Sequence, residues 1–241
     1  MNEIYEYTWV EAADYDEMSS LAADLFERQL ILKPDSVLGL ATGATPIGFY
    51  EKLVERHAQG RISFANAQTF NLDEYTGLDL THSTSFHSYM EKHLFNKVDL
   101  PVFNRHMPDG MAVDLKEECL RYDRLIRENG GIDIQLLGIG VNGHIGFNEP
   151  GTSFHCRTHI VDLAESTRAM NAKYFSSEEA VPEQAITLGI KSILEAKEIV
   201  LLAYGEQKWE AVERLKSAVV SEDFPASCLW GHTNVTVLYG K

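Results

Sequence analysis

The chain has 241 residues, of which 44% are hydrophobic and 24% are charged, close to the average for folded proteins. This composition excludes disordered and fibrous classes, and the length suits one α/β domain with a sizeable core. The 36 acidic residues outnumber the 21 basic ones and give a net charge of −15, which would repel a nucleic-acid backbone, so we expect no nucleic-acid partner.

Strand-like runs alternate with helix-like periodicity from residue 17 onwards, a pattern typical of βαβ units around a mostly parallel sheet. We therefore predict a layered α/β sandwich that forms a single domain over residues 1–241, with its sheet beginning near Ser36. The predicted strands are residues 36–40, 67–72, 133–139, 199–204 and 234–239. The predicted helices are residues 17–32, 47–57, 83–95, 114–127 and 208–215.

Residues 151–182 fit this pattern least well, because they mix polar and charged residues with little periodicity. Their position directly after a polar loop makes a lid possible, and a surface excursion without a function fits the sequence equally well. Both interpretations stay open at this point.

The segment after the first predicted strand is Thr42-Gly43-Ala44-Thr45-Pro46. Pro46 suits the first turn of a helix, and the N–H groups before it are free to point at an anion. The segment lacks the lysine of a Walker loop and the three-glycine dinucleotide fingerprint, so a nucleotide is not indicated. It is either a phosphate-binding loop or an ordinary turn between a strand and a helix.

Two adjacent carboxylates, Asp73 and Glu74, follow the second predicted strand. Neighbouring side chains on an extended backbone point to opposite faces, so at most one of them can face a given pocket. That one could act as a base while the other caps a helix or forms an ion pair, and a purely structural role for both remains the alternative.

The most informative segment is the loop that follows the apolar run 134–139 and contains Asn142, His144 and Glu149. In open α/β sheets, ligands bind beyond the carboxyl ends of the strands, so polar groups here are well placed for chemistry. Pro150 keeps Glu149 extended, and its carboxylate could orient the imidazole of His144 as a proton shuttle requires. This setting favours a functional over a structural histidine.

An anionic substrate would need local cations in so acidic a chain. Arg168 and Lys173 in the possible lid and Lys208 after a strand are the candidates, although most surface lysines are only solvated. Lys208 stands out because it opens a predicted helix, where a cation opposes the helix dipole and so needs another reason to be there. The histidines show no metal-ligand spacing, so no metal site is predicted.

The cysteines and apolar runs indicate the cellular setting. Cys119, Cys156 and Cys228 are widely spaced and lack the CxxC pattern, so we expect reduced thiols. The first residues are acidic where a signal peptide is basic, and no apolar run approaches the ~18 residues of a membrane span. We therefore expect a cytoplasmic protein without a membrane partner.

Taken together, residues 40–46, 71–78 and 138–151 resemble the motifs of the glucosamine-6-phosphate deaminase family, in the family's order and with similarity over nearly the whole chain. The resemblance implies a Rossmann-like three-layer sandwich with a mostly parallel sheet. It also implies conversion of the small sugar phosphate glucosamine 6-phosphate, with water, into fructose 6-phosphate and ammonia, without metal or organic cofactor.

The resemblance assigns roles to residues. Asp73 matches the base that moves a proton from carbon 2 to carbon 1 of the opened sugar, and His144 matches the group that shuttles a proton during ring opening. Asn142 and Glu149 match the partners that support this histidine. The positions that match phosphate-binding residues are Thr42, Gly43, Ala44, Thr45, Lys173 and Lys208.

Three positions depart from the family pattern. Ala44 stands where many relatives have Gly or Ser, which leaves the backbone N–H available. Lys173 stands where some relatives have Arg, so a point charge replaces bidentate geometry. Asn142 stands where one branch has Asp, and the added charge of an Asp would raise the pKa of His144.

In the allosteric branch of the family, basic residues in the lid region help to bind N-acetylglucosamine 6-phosphate. Here His159, Val161 and Asp162 occupy that stretch, and the chain ends at Lys241 without the longer tail of that branch. We therefore expect no such activation and no hexamer. A monomer is favoured, with a small homo-oligomer as the alternative.

Two other functions compete. A 6-phosphogluconolactonase shares the fold and a similar Gly-rich His loop, but its substrate needs no proton removed from carbon 2, so the full motifs around Asp73 and His144 favour the deaminase. A sugar-phosphate sensor of a transcription regulator would normally carry a helix-turn-helix segment, which the sequence does not show. A binding protein without catalytic activity also fits the residue types.

Overall fold

The computed structural model describes residues 6–163, 165–172, 175 and 181–241. Its strands are β1 Glu6–Glu11, β2 Val37–Leu40, β3 Gln68–Asn71, β4 Asp73–Tyr75, β5 Arg105–His106, β6 Ile134–Gly138, β7 His159–Asp162, β8 Gln184–Thr187, β9 Glu198–Tyr204 and β10 Asn234–Gly240. Its helices are α1 Tyr15–Leu32, α2 Ile47–Ala58, α3 Phe86–His93, α4 Leu115–Glu128, α5 Glu165–Asn171, α6 Ile190–Leu194 and α7 Glu206–Lys216. None of these helices combines the length and the apolar character needed to cross a bilayer.

Seven strands form one parallel sheet in the order β1-β10-β9-β6-β2-β3-β5, which confirms the predicted α/β sandwich with a mostly parallel sheet. From β2 the chain moves outward to β3 and β5, and from β6 it moves in the opposite direction to β9 and β10. The strand order therefore reverses between β2 and β6. In open α/β sheets, the crevice beyond the carboxyl ends of two such strands is where ligands bind.

The central strands are buried on both faces, as expected of a parallel sheet covered by helices. All four residues of β2 and the first six of β9 are buried. Among the helices, Phe26 of α1 packs edge-on against Phe49 of α2, with their ring centroids 4.8 Å apart. The core thus holds the middle strands, and with them the strand ends, in fixed positions.

At the amino-terminal edge of the sheet, the buried carboxylate of Asp133 joins three elements. It accepts hydrogen bonds from Lys33 Nζ after α1 (2.8 Å), Val37 N at the start of β2 (2.8 Å) and Lys197 Nζ before β9 (2.6 Å). Burial alone would raise the pKa of Asp133, but the hydrogen bonds from Lys197 and Lys33 hold it below its usual value. These contacts fix β2, β6 and β9 at the edge opposite the carboxyl ends.

The prediction that the sheet begins near Ser36 is wrong, because β1 precedes that residue and forms an edge of the large sheet beside β10. Residues 7–11 of this strand are only partly buried or exposed, as an edge strand allows, so they form no buried apolar run. The helix predicted at residues 83–95 is shorter at both ends in the structure, where it is α3. This helix starts after Ser85, whose hydroxyl oxygen caps it by accepting a hydrogen bond from Ser88 N at 3.0 Å.

A second, antiparallel sheet in the order β4-β8-β7 was absent from the prediction. The chain leaves β3 at Asn71, passes Leu72, and continues directly as β4 in this second sheet. Within its described residues, the region 151–182 contributes β7 and α5. The second sheet places β4 beside the carboxyl ends of the large sheet.

Candidate active site

A cleft of about 520 Å³ opens at the carboxyl ends of β2 and β6, where the strand order reverses. Four of the predicted segments line this cleft although they are far apart in the sequence: the 42–45 loop, Asp73, His144 and Lys208. The structure therefore brings together the groups that the sequence analysis selected separately. Asn142 and Glu149 lie behind His144 and contact it.

Asp73 and Glu74 point to opposite sides of β4, as the alternation of an extended strand requires. Asp73 lines the cleft. Glu74 is fully buried and accepts hydrogen bonds at 2.9 Å each from the N–H groups of Tyr75, Phe86 and His87. Glu74 thus occupies the amino terminus of α3, where a negative charge is favoured, and leaves Asp73 as the carboxyl group of the cleft.

The environment of Asp73 favours its protonated form. Its side chain is almost completely buried, and this burial, together with the nearby charge of Glu74, raises the pKa of Asp73 to about 8. The loop main chain passes close by, since a Cβ at Gly146 would lie 2.9 Å from Thr187 Oγ1 and 3.7 Å from Asp73 Oδ2. A carboxyl group with such a pKa can both take up and release a proton near neutral pH.

His144 is the end of a relay of three side chains. Asn142 Nδ2 donates to Glu149 Oε2 at 2.7 Å, so the other amide atom, Oδ1, is the acceptor that lies 2.8 Å from His144 Nδ1. Glu149 Oε1 is 3.7 Å from the same ring nitrogen. In the neutral imidazole, Nδ1 therefore carries the hydrogen, and Nε2 keeps a lone pair that can accept a proton.

The protonation of His144 reflects competing effects. Burial lowers its pKa, the carboxylate of Glu149 raises it, and the ammonium of Lys208 lowers it, with a net shift below the usual value. The ring is therefore neutral at pH 7 and able to act as a base. Glu149 is positioned to stabilise the imidazolium once the ring has taken up a proton.

Glycines shape the loop that carries this relay. A side chain at Gly140 would overlap the imidazole of His144, and one at Gly143 would overlap the ring of Phe224. Gly143 also has a φ of +87°, in the left-handed region that favours glycine. These two positions explain why the glycines beside His144 are needed for the loop to pack.

Tyrosine hydroxyls engage carbonyl oxygens of the 42–45 loop and of the residue before it. Tyr89 donates to Gly43 O at 2.7 Å, Tyr15 to Thr45 O at 2.9 Å, and Tyr50 to Ala41 O, just before the loop, at 2.6 Å. Within the described part of the chain, the N–H groups of residues 43–45 donate to no protein acceptor. The loop thus offers donors in front of α2, an arrangement suited to an anion.

Lys208 is the third residue of α7 and lines the same cleft as this loop. Burial lowers the pKa of its ammonium, and among the described residues no carboxylate forms an ion pair with it. Of the other predicted cations, Lys173 lies outside the described residues. Arg168 is directed away from the cleft, with Nη2 3.5 Å from Val181 O and Nη1 4.0 Å from Glu183 Oε1.

The part of the chain that the structure describes contains no group of three or more His, Cys, Asp or Glu side chains arranged to hold a metal ion. The expectation of cofactor-free chemistry stays a prediction.

Several residues of the cleft were missed by the sequence analysis. Thr167 Oγ1 donates to Glu149 Oε1 at 3.0 Å, but it lies 18 residues away in a segment without periodicity. An aromatic wall is formed by Tyr75, Phe86 and Phe147, with centroid distances of 4.6 Å for Tyr75–Phe86 and 6.0 Å for Phe86–Phe147. These side chains come from different elements, so no local pattern could indicate them.

The model of a family described as glucosamine-6-phosphate isomerases/6-phosphogluconolactonase matches residues 14–238. The chain belongs to this family. Relatives named glucosamine-6-phosphate deaminase include those of Lysinibacillus sphaericus, 56% identical over 96% of this chain and 98% of the relative, and of Oceanobacillus iheyensis, 53% identical over 96% and 93%. The family expected from the three motifs is thereby confirmed.

Solved structures of the family agree with this fold. One described as a monomeric glucosamine-6-phosphate deaminase of the NagB superfamily is 49% identical, with a TM-score of 0.95 over 97% of both chains. The 6-phosphogluconolactonase of Thermotoga maritima is 20% identical, with a TM-score of 0.77 over 98% of this chain and 100% of that one. At that identity the likeness shows the shared fold alone.

The raised pKa of Asp73 predicts a pH dependence of stability. The folded chain keeps this proton between the ordinary pKa of 3.8 and about 8, whereas the unfolded chain loses it. We expect the free energy of unfolding of the wild type to fall over that range as pH rises, by up to about 1.4 kcal/mol per pH unit from this group. Asp73→Asn should remove this part of the slope.

Urea denaturation at a series of pH values measures the effect. The stability of Asp73→Asn relative to the wild type should increase with pH. Asp35→Asn at an exposed position serves as the control and should keep the slope of the wild type. A difference between Asp73→Asn and the wild type that is the same at every pH would show that burial does not hold the proton on Asp73.

The geometry of the relay predicts how Asn142→Asp would change the pKa of His144. The new carboxylate would replace an amide that lies 2.7 Å from Glu149 and 2.8 Å from the His144 ring, so negative charge accumulates beside the imidazole. We expect the pKa of His144 to rise by about one unit or more, measured by NMR titration of its ring protons. Gln59→Glu, which adds the same charge at the far end of α2, should leave the titration unchanged.

Proposed function

We propose that the chain catalyses the conversion of glucosamine 6-phosphate and water into fructose 6-phosphate and ammonia, by acid–base chemistry without metal or organic cofactor. One observation carries this proposal: a buried carboxyl group with a raised pKa, Asp73, shares a single cleft with the His144 relay and an anion-binding loop. The relatives at 56% and 53% identity are named glucosamine-6-phosphate deaminase, the enzyme of this reaction.

Ring opening is the first chemical step. His144 accepts the proton of the carbon 1 hydroxyl on Nε2 and returns a proton to the ring oxygen, which breaks the bond between carbon 1 and that oxygen. Asn142 holds the Nδ1 hydrogen and Glu149 stabilises the transient imidazolium. The product is an open-chain aldehyde, which makes the hydrogen on carbon 2 acidic.

Asp73 carries the second step. In its ionised form it takes the proton from carbon 2 while the aldehyde oxygen gains a proton, which yields an enolamine. It then delivers its proton to carbon 1 while the nitrogen loses a proton, which yields the ketimine tautomer. Water adds to the ketimine carbon, ammonia leaves, and the ketone of fructose 6-phosphate remains. General acid–base steps of this kind each contribute roughly 10²–10⁴-fold to the rate.

The phosphate group is assigned to the part of the cleft that the 42–45 loop and Lys208 line. The N–H groups of residues 43–45, which donate to no acceptor among the described residues, and the ammonium of Lys208 are its proposed partners. These groups supply the locally positive site that an anionic substrate requires in a chain with a net charge of −15. The role of Lys173 rests on the family resemblance.

Lactone hydrolysis, the activity named in the second half of the family's description, is not favoured. That reaction needs a water molecule activated for attack on a carbonyl carbon. It removes no proton from carbon 2, so it gives Asp73 no role as a base.

We further propose that residues 1–241 form one domain and that the protein is a monomer in the cytoplasm, with residues 151–182 as a lid. The neighbour described as monomeric supports the proposed monomer.

A direct assay tests the function. Wild type given glucosamine 6-phosphate should release fructose 6-phosphate and ammonia in equal amounts, each measured by a coupled enzyme. Asp73→Asn should lose at least about 10²-fold in kcat, because the amide cannot accept the proton from carbon 2.

Asp35→Asn is the matched control and should retain wild-type kcat. Hydrolysis of 6-phosphogluconolactone, measured beside deamination, should stay at the uncatalysed rate. Turnover of the lactone without deamination by folded wild type would overturn the proposal, whereas full deaminase activity in Asp73→Asn would keep the function and reject Asp73 as its base.

The phosphate assignment predicts a separate result. Lys208→Met should raise KM for glucosamine 6-phosphate by about 10- to 100-fold, the loss expected for a charge-assisted contact, and weaken competitive inhibition by inorganic phosphate in parallel. Lys116→Met removes an exposed lysine of α4 and should change neither value. A normal KM and normal inhibition in Lys208→Met would place the phosphate elsewhere.

A further inference from the structure

The relay that ends at His144 continues beyond its own loop into α5. Glu149 accepts one hydrogen bond at each carboxylate oxygen, from Asn142 Nδ2 at Oε2 (2.7 Å) and from Thr167 Oγ1 at Oε1 (3.0 Å). Thr167 also lines the cleft. A continuous line of side-chain contacts therefore runs from α5 to the imidazole.

We propose that Thr167 is a positioning residue, which fixes the plane of the Glu149 carboxylate and thereby sets, through Asn142, the orientation of the His144 imidazole for proton transfer. This inference rests on the proposed deaminase function and adds a residue to its machinery.

The main chain of Glu149 does not depend on Thr167, because Thr152 holds it. Thr152 donates to Glu149 O from both its N–H, at 3.0 Å, and its hydroxyl, at 2.7 Å. What Thr167 controls is the rotation of the carboxylate about the last side-chain bond, a torsion with broad preferences. With the backbone already held, the freedom left in Glu149 lies in its side-chain torsions, of which this last one has the broadest preference.

Without the Thr167 hydroxyl, Oε1 would keep only His144 Nδ1, at 3.7 Å, which is too long for a hydrogen bond. A carboxylate held through one oxygen can turn, and the Asn142 amide that is bound to it would follow. Because Asn142 Oδ1 is the hydrogen-bond acceptor of His144 Nδ1, the ring would lose its fixed orientation. A displacement of about 1 Å in a reacting group can cost on the order of 100-fold in rate.

α5 also has contacts that do not involve the Thr167 hydroxyl. The neighbouring Arg168 reaches Val181 O and Glu183, on the side away from the cleft. Removal of the Thr167 hydroxyl should therefore act on Glu149 rather than on the position of the helix.

Other titratable groups share the cleft with the imidazole and must stay constant in the test. Lys208 of α7 and Asp73 of β4 line the same cleft, as do Lys92 and His93 of α3. None of them contacts Thr167 through a hydrogen bond or ion pair in the described part of the chain. A change in the titration of His144 in a Thr167 variant is thus due to the altered position of Glu149.

The test compares Thr167→Val, which keeps the shape of the side chain, with Thr167→Ser, which keeps the hydroxyl. Thr167→Val should lower kcat for glucosamine 6-phosphate on the order of ten-fold, with KM changed less than about two-fold. The NMR titration of His144 should shift to lower pH, because the imidazolium loses part of its attraction to Glu149. Thr167→Ser should restore both values, and Ala169→Ser on the exposed side of α5 should change neither.

Wild-type kcat and an unshifted His144 titration in Thr167→Val would overturn the inference. An equal loss in the Val and Ser variants would overturn it too, because the hydroxyl that Ser retains would then make no difference. The NMR titration needs no turnover. Absence of deamination by the wild type would therefore reject the proposed function, while the titration would still decide whether Thr167 controls His144.

Discussion

The parallel arrangement of the central strands is the constraint on which the site depends. Because β9, β6, β2 and β3 are adjacent and run in the same direction, their carboxyl ends lie side by side at one edge. The residues that follow those ends are Lys208, the His144 loop, the 42–45 loop and Asp73. Segments separated by more than a hundred residues become neighbours without any direct contact having to draw them together.

Burial away from water is the second feature that determines the chemistry of this site. The same burial that raises the pKa of Asp73 lowers the pKa of His144 and of Lys208, so each group is shifted towards its uncharged form. Groups with such shifted values exchange protons readily near neutral pH, but they oppose folding when they are forced to ionise. The stability needed to hold them comes from elsewhere, including the Asp133 contacts at the opposite edge of the sheet.

Much of this architecture could be predicted from the sequence, because buried parallel strands read as apolar runs and the groups at their ends are polar. The opposite orientations of Asp73 and Glu74 follow from strand geometry alone. Which of them faces the cleft depends on the position of α3 in the tertiary structure. The small antiparallel sheet and the edge strand β1 carry no comparable signal. The role of Thr167 could not be predicted either, because its partner Glu149 is close to it only in the folded chain.

The tyrosines behind the 42–45 loop determine which sign of charge the loop accepts. Tyr89 and Tyr15 engage Gly43 O and Thr45 O of the loop, and Tyr50 engages Ala41 O just before it, so fewer carbonyl acceptors than N–H donors remain for a ligand. A hexosamine without a phosphate would leave these N–H groups without a partner in a partly dehydrated site, at a cost of about 1–3 kcal/mol for each group. In the proposed function, these phenolic hydroxyls would help to discriminate between free and phosphorylated sugars without contacting the sugar.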